Sequence, residues 1–133
     1  MVSCDYENYG CSGGWLSTSI LYLIEKGLVL DSCLSYKVKN AECTYQCDDP
    51  SVAYTKFYCK QGSAKVLIGK EKIMEEIMTN GPVMVELVIY EDFFNYASGT
   101  YSYVTGARKG AHAMVLHGWG IDGSGNFFWL CQN

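Results

Sequence analysis

Along the chain, apolar residues recur first at helical and later at strand spacing. Between Trp15 and Lys26 the positions Leu16, Ile20, Leu23 and Ile24 share one face of a 3.6-residue period, Ser12 stands as a possible N-cap, and Gly27 follows as the residue past the end. An apolar face of this kind predicts a helix packed into a core. Residues 31 to 62 hold four cysteines and Pro50 with few periodic signals, and read as a loop region tied covalently in place of a core. A second helix is predicted over Lys70 to Asn80. Ile73 and Ile77 share one face, Met74 and Met78 the neighbouring one, and Gly81-Pro82 ends the element. From Val83 to Tyr90 the period changes to two, with Val83, Val85, Leu87 and Ile89 on one side and Met84, Glu86, Val88 and Tyr90 on the other. Glu86 is the exception on its face: such a carboxylate is tolerated near an edge or when paired, and it can also line a specificity pocket. Glu91 to Tyr96 reads as a short helical turn and Gly99 to Val104 as a short strand.

The most informative stretch runs from Gly110 to Gly120. Strict alternation puts His112, Met114 and Leu116 on one face, and Ala113, Val115, His117 and Trp119 on the other, so the two histidines look in opposite directions. Ile121 to Gly125 is turn chemistry and Asn126 to Cys131 a second strand, so the segment is a hairpin folded about Gly123. That fold returns Asn133 to the side of His112 and Met114, because opposite and diagonal residues on one face of an antiparallel pair lie roughly 5 to 8 Å apart. An Asn carboxamide there could fix the tautomer and plane of a general-base histidine, one known solution with a cysteine nucleophile. The same two residues also suit a plain core histidine beside a strand-end Asn.

Composition narrows the classes. A chain of 133 residues with 49% hydrophobic residues fits one α+β unit, helices first and strands later, without internal repeats or linkers. No apolar run approaches the roughly 18 residues of a membrane span, so no membrane partner is expected. With a net charge of −4 and no basic stripe, nucleic acid is not an expected partner. The seven cysteines fall at irregular spacings that suit a disulfide framework in an oxidising compartment; only Cys43 and Cys47 lie at short ligand spacing and no histidine follows suitably, so no metal or other cofactor is expected. Their odd number, and a start at Met1-Val2-Ser3-Cys4 that is not a signal peptide, point to sequence upstream. Residues 1 to 14 read as an irregular loop in which Gly13 and Gly14 leave bare backbone; spacing alone favours a plain tight turn before a helix, and an extended peptide can also pair with such backbone.

Five ordered motifs carry a family resemblance: Val2-Ser3-Cys4-Asp5, Gly10-Cys11-Ser12-Gly13-Gly14-Trp15, Asn80-Gly81-Pro82-Val83, Gly110-Ala111-His112-Ala113 and Gly118-Trp119-Gly120 with Trp129-Leu130-Cys131-Gln132-Asn133. In order and spacing the chain resembles papain-family cysteine peptidases over essentially its whole length. Its Ser32 to Tyr36 stretch, the Cys43 and Cys47 pair, Tyr90 to Phe93, Ser98 to Tyr101 and Val104 to Gly106 are most similar to the cathepsin B branch.

The resemblance implies a two-lobed papain-like α+β fold of which residues 1–133 are the middle portion, 1–60 mainly in the helical lobe and 61–133 mainly in the β-rich lobe. It implies Cys-His-Asn peptide hydrolysis with His112 and Asn133 in the last two roles. The nucleophilic cysteine and the oxyanion-hole glutamine are expected upstream, on a complementary N-terminal segment or chain, and further strands beyond Asn133. It assigns Gly13 and Gly14 to the substrate backbone. Trp15, Glu86 and Ala113, with Ala111 beside them, are expected to line the pocket for the side chain two residues before the cleaved bond, where Glu86 favours a basic side chain. It pairs Cys4 with Cys43 and Cys33 with Cys47, leaves Cys11 for a cysteine upstream and leaves Cys59 and Cys131 free or mutually paired, with Cys131 a buried thiol. Three features depart from the pattern: Ala111 replaces a glycine, His117 an apolar residue, and the paired histidines of the cathepsin B occluding loop are missing from Lys37 to Cys47. Endopeptidase action on peptide or protein substrates, in a lysosomal or other acidic digestive compartment or outside the cell, is therefore the expectation, with this chain inactive alone. The alternative is a non-catalytic papain-fold binding or structural protein.

Overall fold

The computed structural model describes all of residues 1–133, which divide into two compact units, Met1–Lys65 and Val66–Asn133. In the first unit the regular element is helix α1, Leu16–Glu25. Ser12 does not cap it. That residue belongs to a 3-10 turn, Gly10–Ser12, and the N-cap position falls on Trp15, which has no capping side chain of its own. The first turn is fixed instead by Asn8, whose carboxamide oxygen accepts the Trp15 N–H at 2.8 Å while its Nδ2 donates to Asp5 Oδ2 at 2.7 Å and to Ser19 Oγ at 3.2 Å. Gly14 must be glycine here, because a Cβ would run into the Asn8 carboxamide. A loop residue seven positions back thus does the work expected of Ser12.

The apolar face of α1 is only half covered. Leu16, Ile20, Leu23 and Ile24 are intermediate in exposure and no residue of the helix is buried, so the core expected around it is not formed by these residues. Covalent and polar ties hold the unit: disulfides join Cys4 to Cys43 and Cys33 to Cys47, the latter two among the few buried residues. Leu28 and Phe57 form an isolated antiparallel bridge across the loop region. Asp48 gathers Ser35 N–H, Ser35 Oγ and Lys37 Nζ into one cluster.

The second unit begins with α2, Lys70–Asn80, closed by Gly81 at φ 100°. Strands β1 (Val83–Tyr90), β2 (Arg108–Ile121) and β3 (Phe127–Gln132) then form an antiparallel sheet in that order. The alternation in β1 follows the sequence: Val83, Val85, Leu87 and Ile89 are partly covered while Met84, Glu86 and Val88 are exposed. The residues between are a 3-10 helix, Glu91–Asn95, followed by an irregular loop. No strand forms over Gly99 to Val104. Tyrosine hydroxyls and the Asp92 carboxylate there satisfy backbone groups that a ladder otherwise pairs.

Two register shifts shape β2. One lies between Ile89 and Tyr90 of its partner, next to Gly110 at φ 139°, a backbone conformation that favours glycine. The other falls between Leu116 and Gly118. Leu116 pairs with Cys131 and Trp119 with Trp129; since Cys131 and Trp129 are two apart in β3, Leu116 and Trp119 point to the same side. Strict alternation puts Trp119 on the opposite face, so the bulge at His117 overturns that assignment. The corrected face joins Trp119, Trp129 and Phe127 edge to face, the last two with ring centroids 4.8 Å apart. Leu116, 2% exposed, is the most buried apolar residue of the sheet. The turn is an Asx-type cap in which Asp122 Oδ1 accepts from Ser124 and Asn126 N–H.

Candidate active site

Because Val115 stands opposite Gln132, Asn133 falls opposite Met114 and diagonal to His112. The imidazole Nε2 of His112 lies 2.6 Å from Asn133 Oδ1. A carboxamide oxygen only accepts, so this contact places a proton on Nε2 and leaves Nδ1 as the basic nitrogen of the neutral ring. The contact fixes one tautomer, as a general base requires. His112 is partly covered; Asn133 and His117 are exposed.

The surroundings of His112 come from two directions. Leu87 faces it across the ladder, and the Phe93 ring stands 6.5 Å away, centroid to centroid, at 49°. Cys131 is opposite Leu116, four residues along β2 from His112, or roughly 13 Å at about 3.3 Å per residue. Its thiol is therefore out of reach of the imidazole. It is half-buried rather than buried, and desolvation pushes it above the ordinary thiol range, which disfavours the thiolate. Cys11 and Cys59 are exposed free thiols of the other unit.

Glu86 and Ala113 are direct partners across β1 and β2, and Val88 pairs with Ala111. All four side chains share the face opposite His112, and all are exposed. Two alanines beside Glu86 leave a shallow apolar floor over which a carboxylate stands. Near its edge Lys109 Nζ meets Glu91 Oε1 at 2.7 Å, and that lysine above all, with the Ala107 N–H, holds the Glu91 carboxyl below its ordinary range.

In the first unit, Gly13, Gly14 and Trp15 form an exposed run. Gly13 N–H donates to Gly10 O and Gly13 O accepts from Tyr9, so both its backbone groups are engaged. Gly14 retains the bare backbone. The Asn8 and Asn40 carboxamides that hold this loop, the latter accepting Cys11 N–H at 2.8 Å, have no periodic signature in the sequence. No group of three or more His, Cys, Asp or Glu side chains is placed to hold a metal ion, and no helix is long and apolar enough to cross a membrane.

The sequence profile of the papain family cysteine proteases matches residues 1–133, and the chain belongs to that family. Its similarity is to cathepsin B-like members: it is 35% identical to Cathepsin B-like protease 1 of Arabidopsis thaliana over 94% of this chain and 37% of that protein, and 31% identical to Cathepsin B-like CP2 of Giardia intestinalis over 100% of this chain and 45% of that protein. Among solved structures, proCathepsin B S9 from Trypanosoma congolense superposes with a TM-score of 0.83 at 31% identity, covering 96% of this chain and 46% of that one. The chain thus spans about two fifths to half the length of these relatives.

Proposed function

We propose that this chain supplies the general base and its orienting group to a cathepsin B-like cysteine endopeptidase, His112 as base and Asn133 as orienter. The observation that carries this reading is the 2.6 Å contact of His112 Nε2 with Asn133 Oδ1. Nδ1 then takes the proton of a cysteine thiol. The thiolate attacks the scissile carbonyl, the imidazolium returns its proton to the leaving amine, and the acyl-enzyme is released by a water that His112 deprotonates. Four of the chain's cysteines are closed in disulfides, Cys131 lies too far along the strand, and this reading does not give the role to Cys11 or Cys59, the exposed free thiols of the other unit. The nucleophile in this reading comes from an N-terminal segment or chain that lies outside these residues. Gly14 pairs with the substrate backbone while Gly13 shapes its loop, and on the sheet Glu86 and Ala113, with Ala111 beside them, serve the pocket for the side chain two residues before the cleaved bond. The two disulfides suit an oxidising setting, a lysosomal or secreted one.

The test joins residues 1–133 to a cathepsin B-like N-terminal segment bearing a Gly-x-Cys-Trp motif and measures hydrolysis of fluorogenic dipeptides. His112→Ala abolishes turnover in this reading; turnover unchanged in that variant sinks it. Glu86→Ala lowers the Arg-to-Phe substrate preference, by about 1.4- to 5-fold because an exposed ion pair is worth only about 0.2 to 1 kcal/mol. An unchanged ratio removes Glu86 from the pocket.

A further inference from the structure

The loop that leads into β2 is tied to a single side chain. Asp92, in the 3-10 helix after β1, accepts Tyr101 OH at 2.8 Å, Val104 N–H at 2.8 Å and Thr105 N–H at 3.1 Å. The Val104 N–H above all holds its carboxyl below the ordinary range, and Tyr101 is pushed up to about 12 by desolvation and then by its hydrogen bond to Asp92. Both shifts are those of a charge-assisted contact. Tyr101 in turn packs edge-on against Phe93, centroids 4.9 Å apart at 77°, and against Tyr96 at 5.9 Å. Phe93 and Tyr96 stack nearly parallel at 6.0 Å. The end of this aromatic chain is the Phe93 ring beside His112.

We propose that Asp92 is a positioning residue for His112, acting through Tyr101 and Phe93. Asn133 fixes Nε2 of the imidazole from one side, but a single hydrogen bond leaves the ring free to pivot about it. Phe93 limits that pivot and covers part of the ring edge. Phe93 sits on a short 3-10 turn, an element with few internal bonds of its own, so its position depends on what packs behind it. That support is Tyr101, whose ring is held by the Asp92 carboxylate. Removing the carboxylate frees Val104, Thr105 and the Tyr101 hydroxyl together, lets Tyr101 swing away, and releases Phe93 from its place beside the imidazole. The inference rests on the catalytic reading of His112 for its consequence, but not for its geometry.

The chain's two histidines make the test specific. His112 and His117 lie on one strand, and only His112 has an aromatic neighbour. In the protein labelled at its histidines, the imidazole carbon-bound proton shifts are recorded by NMR for Asp92→Ala, Tyr101→Phe and Phe93→Leu. Phe93→Leu sets the full size of the ring-current change at His112. Asp92→Ala is expected to reproduce at least half of it, Tyr101→Phe a smaller part, and His117 is expected to stay fixed in all three. A His112 signal unmoved by Asp92→Ala, or equal movement of both histidines, overturns the proposal. If Asp92→Ala does not fold, Asp92→Asn serves: it keeps one acceptor oxygen and loses the charge, and is expected to give an intermediate shift, with no shift counting against the proposal. In the peptidase assembled with its nucleophile, Asp92→Asn is expected to lower kcat by about tenfold with KM within about twofold, the signature of a misplaced base. Loss of that kcat effect with the NMR shift intact contradicts the catalytic role of His112 and leaves the positioning geometry standing.

Discussion

Leu116→Ala reaches both the stability of the sheet and the geometry of the site. Leu116 is 2% exposed and sits on the central strand between Val83 of β1 and Cys131 of β3. It is the last paired residue before the bulge, so it fixes the register that brings Asn133 to His112. Truncating a buried leucine costs about 2 to 5 kcal/mol, the low end applying where neighbours can close the gap. Here Val85, Met114 and Cys131 are only half covered and free to shift inward, so we take about 2.5 kcal/mol. A unit the size of Val66–Asn133 has a total stability of roughly 3 to 10 kcal/mol at about 0.05 to 0.15 kcal/mol per residue. The substitution therefore removes a quarter or more of it, and lowers the melting temperature by about 10 to 20 °C at about 4 to 8 °C per kcal/mol. Trp119 and Trp129 report on this unit, and a Trp15→Phe background removes the tryptophan of the other. Val115→Ala, at a position 40% exposed, is the control. A Leu116→Ala shift below about 3 °C, or one no larger than that of the control, refutes the assignment of Leu116 as the register anchor.

Two further outcomes follow from the cysteines and the loop carboxylates. At pH 8, iodoacetamide is expected to modify exposed Cys11 and Cys59 well before Cys131, whose thiol is half-buried and raised by desolvation; peptide mapping without reduction reads the order, and equal rates contradict the burial. Asp48 is lowered from 3.8 to about 2, chiefly by its hydrogen bond from Lys37 and then by those from Ser35. A depressed carboxyl contributes stability that is present above its unfolded value near 3.8 and is lost as pH falls through about 2, so the tie between Ser35, Lys37 and Asp48 opens across that window. Carboxyl-carbon NMR is expected to show a midpoint near 2 that rises in Lys37→Ala; an ordinary midpoint in the unsubstituted protein counts against the cluster.

Much of the second unit was legible because it is governed by period and by turn residues. Val83 to Tyr90 alternates; Gly110 to Gly120 alternates as well, and with turn chemistry over Ile121 to Gly125 it returns Asn133 to the side of His112 without any appeal to tertiary packing. Trp119 was misplaced because a bulge inserts one residue without a local sign; His117-Gly118 looks like two more steps of alternation. Ser12 and Gly99 to Val104 failed for a shared reason. In both, a side chain distant in sequence satisfies the backbone, Asn8 at the helix start and Asp92 at the loop, and neither leaves a periodic trace. Helix α1 shows the reverse case. Its apolar spacing marks a helix, yet amphipathicity says that a face seeks cover and not which residues provide it.

The central claim is that this chain carries the base and its orienter but not the nucleophile. Residues 1–133 alone are incubated at pH 5 to 6 with a fluorogenic dipeptide and a thiol-directed epoxide, and turnover and labelled cysteines are measured. The account predicts no turnover and no site-selective label, because the thiol it pairs with His112 belongs to an N-terminal segment outside these residues. Reproducible turnover that His112→Ala abolishes, with the epoxide on Cys11, Cys59 or Cys131, contradicts it and makes one of those cysteines the nucleophile.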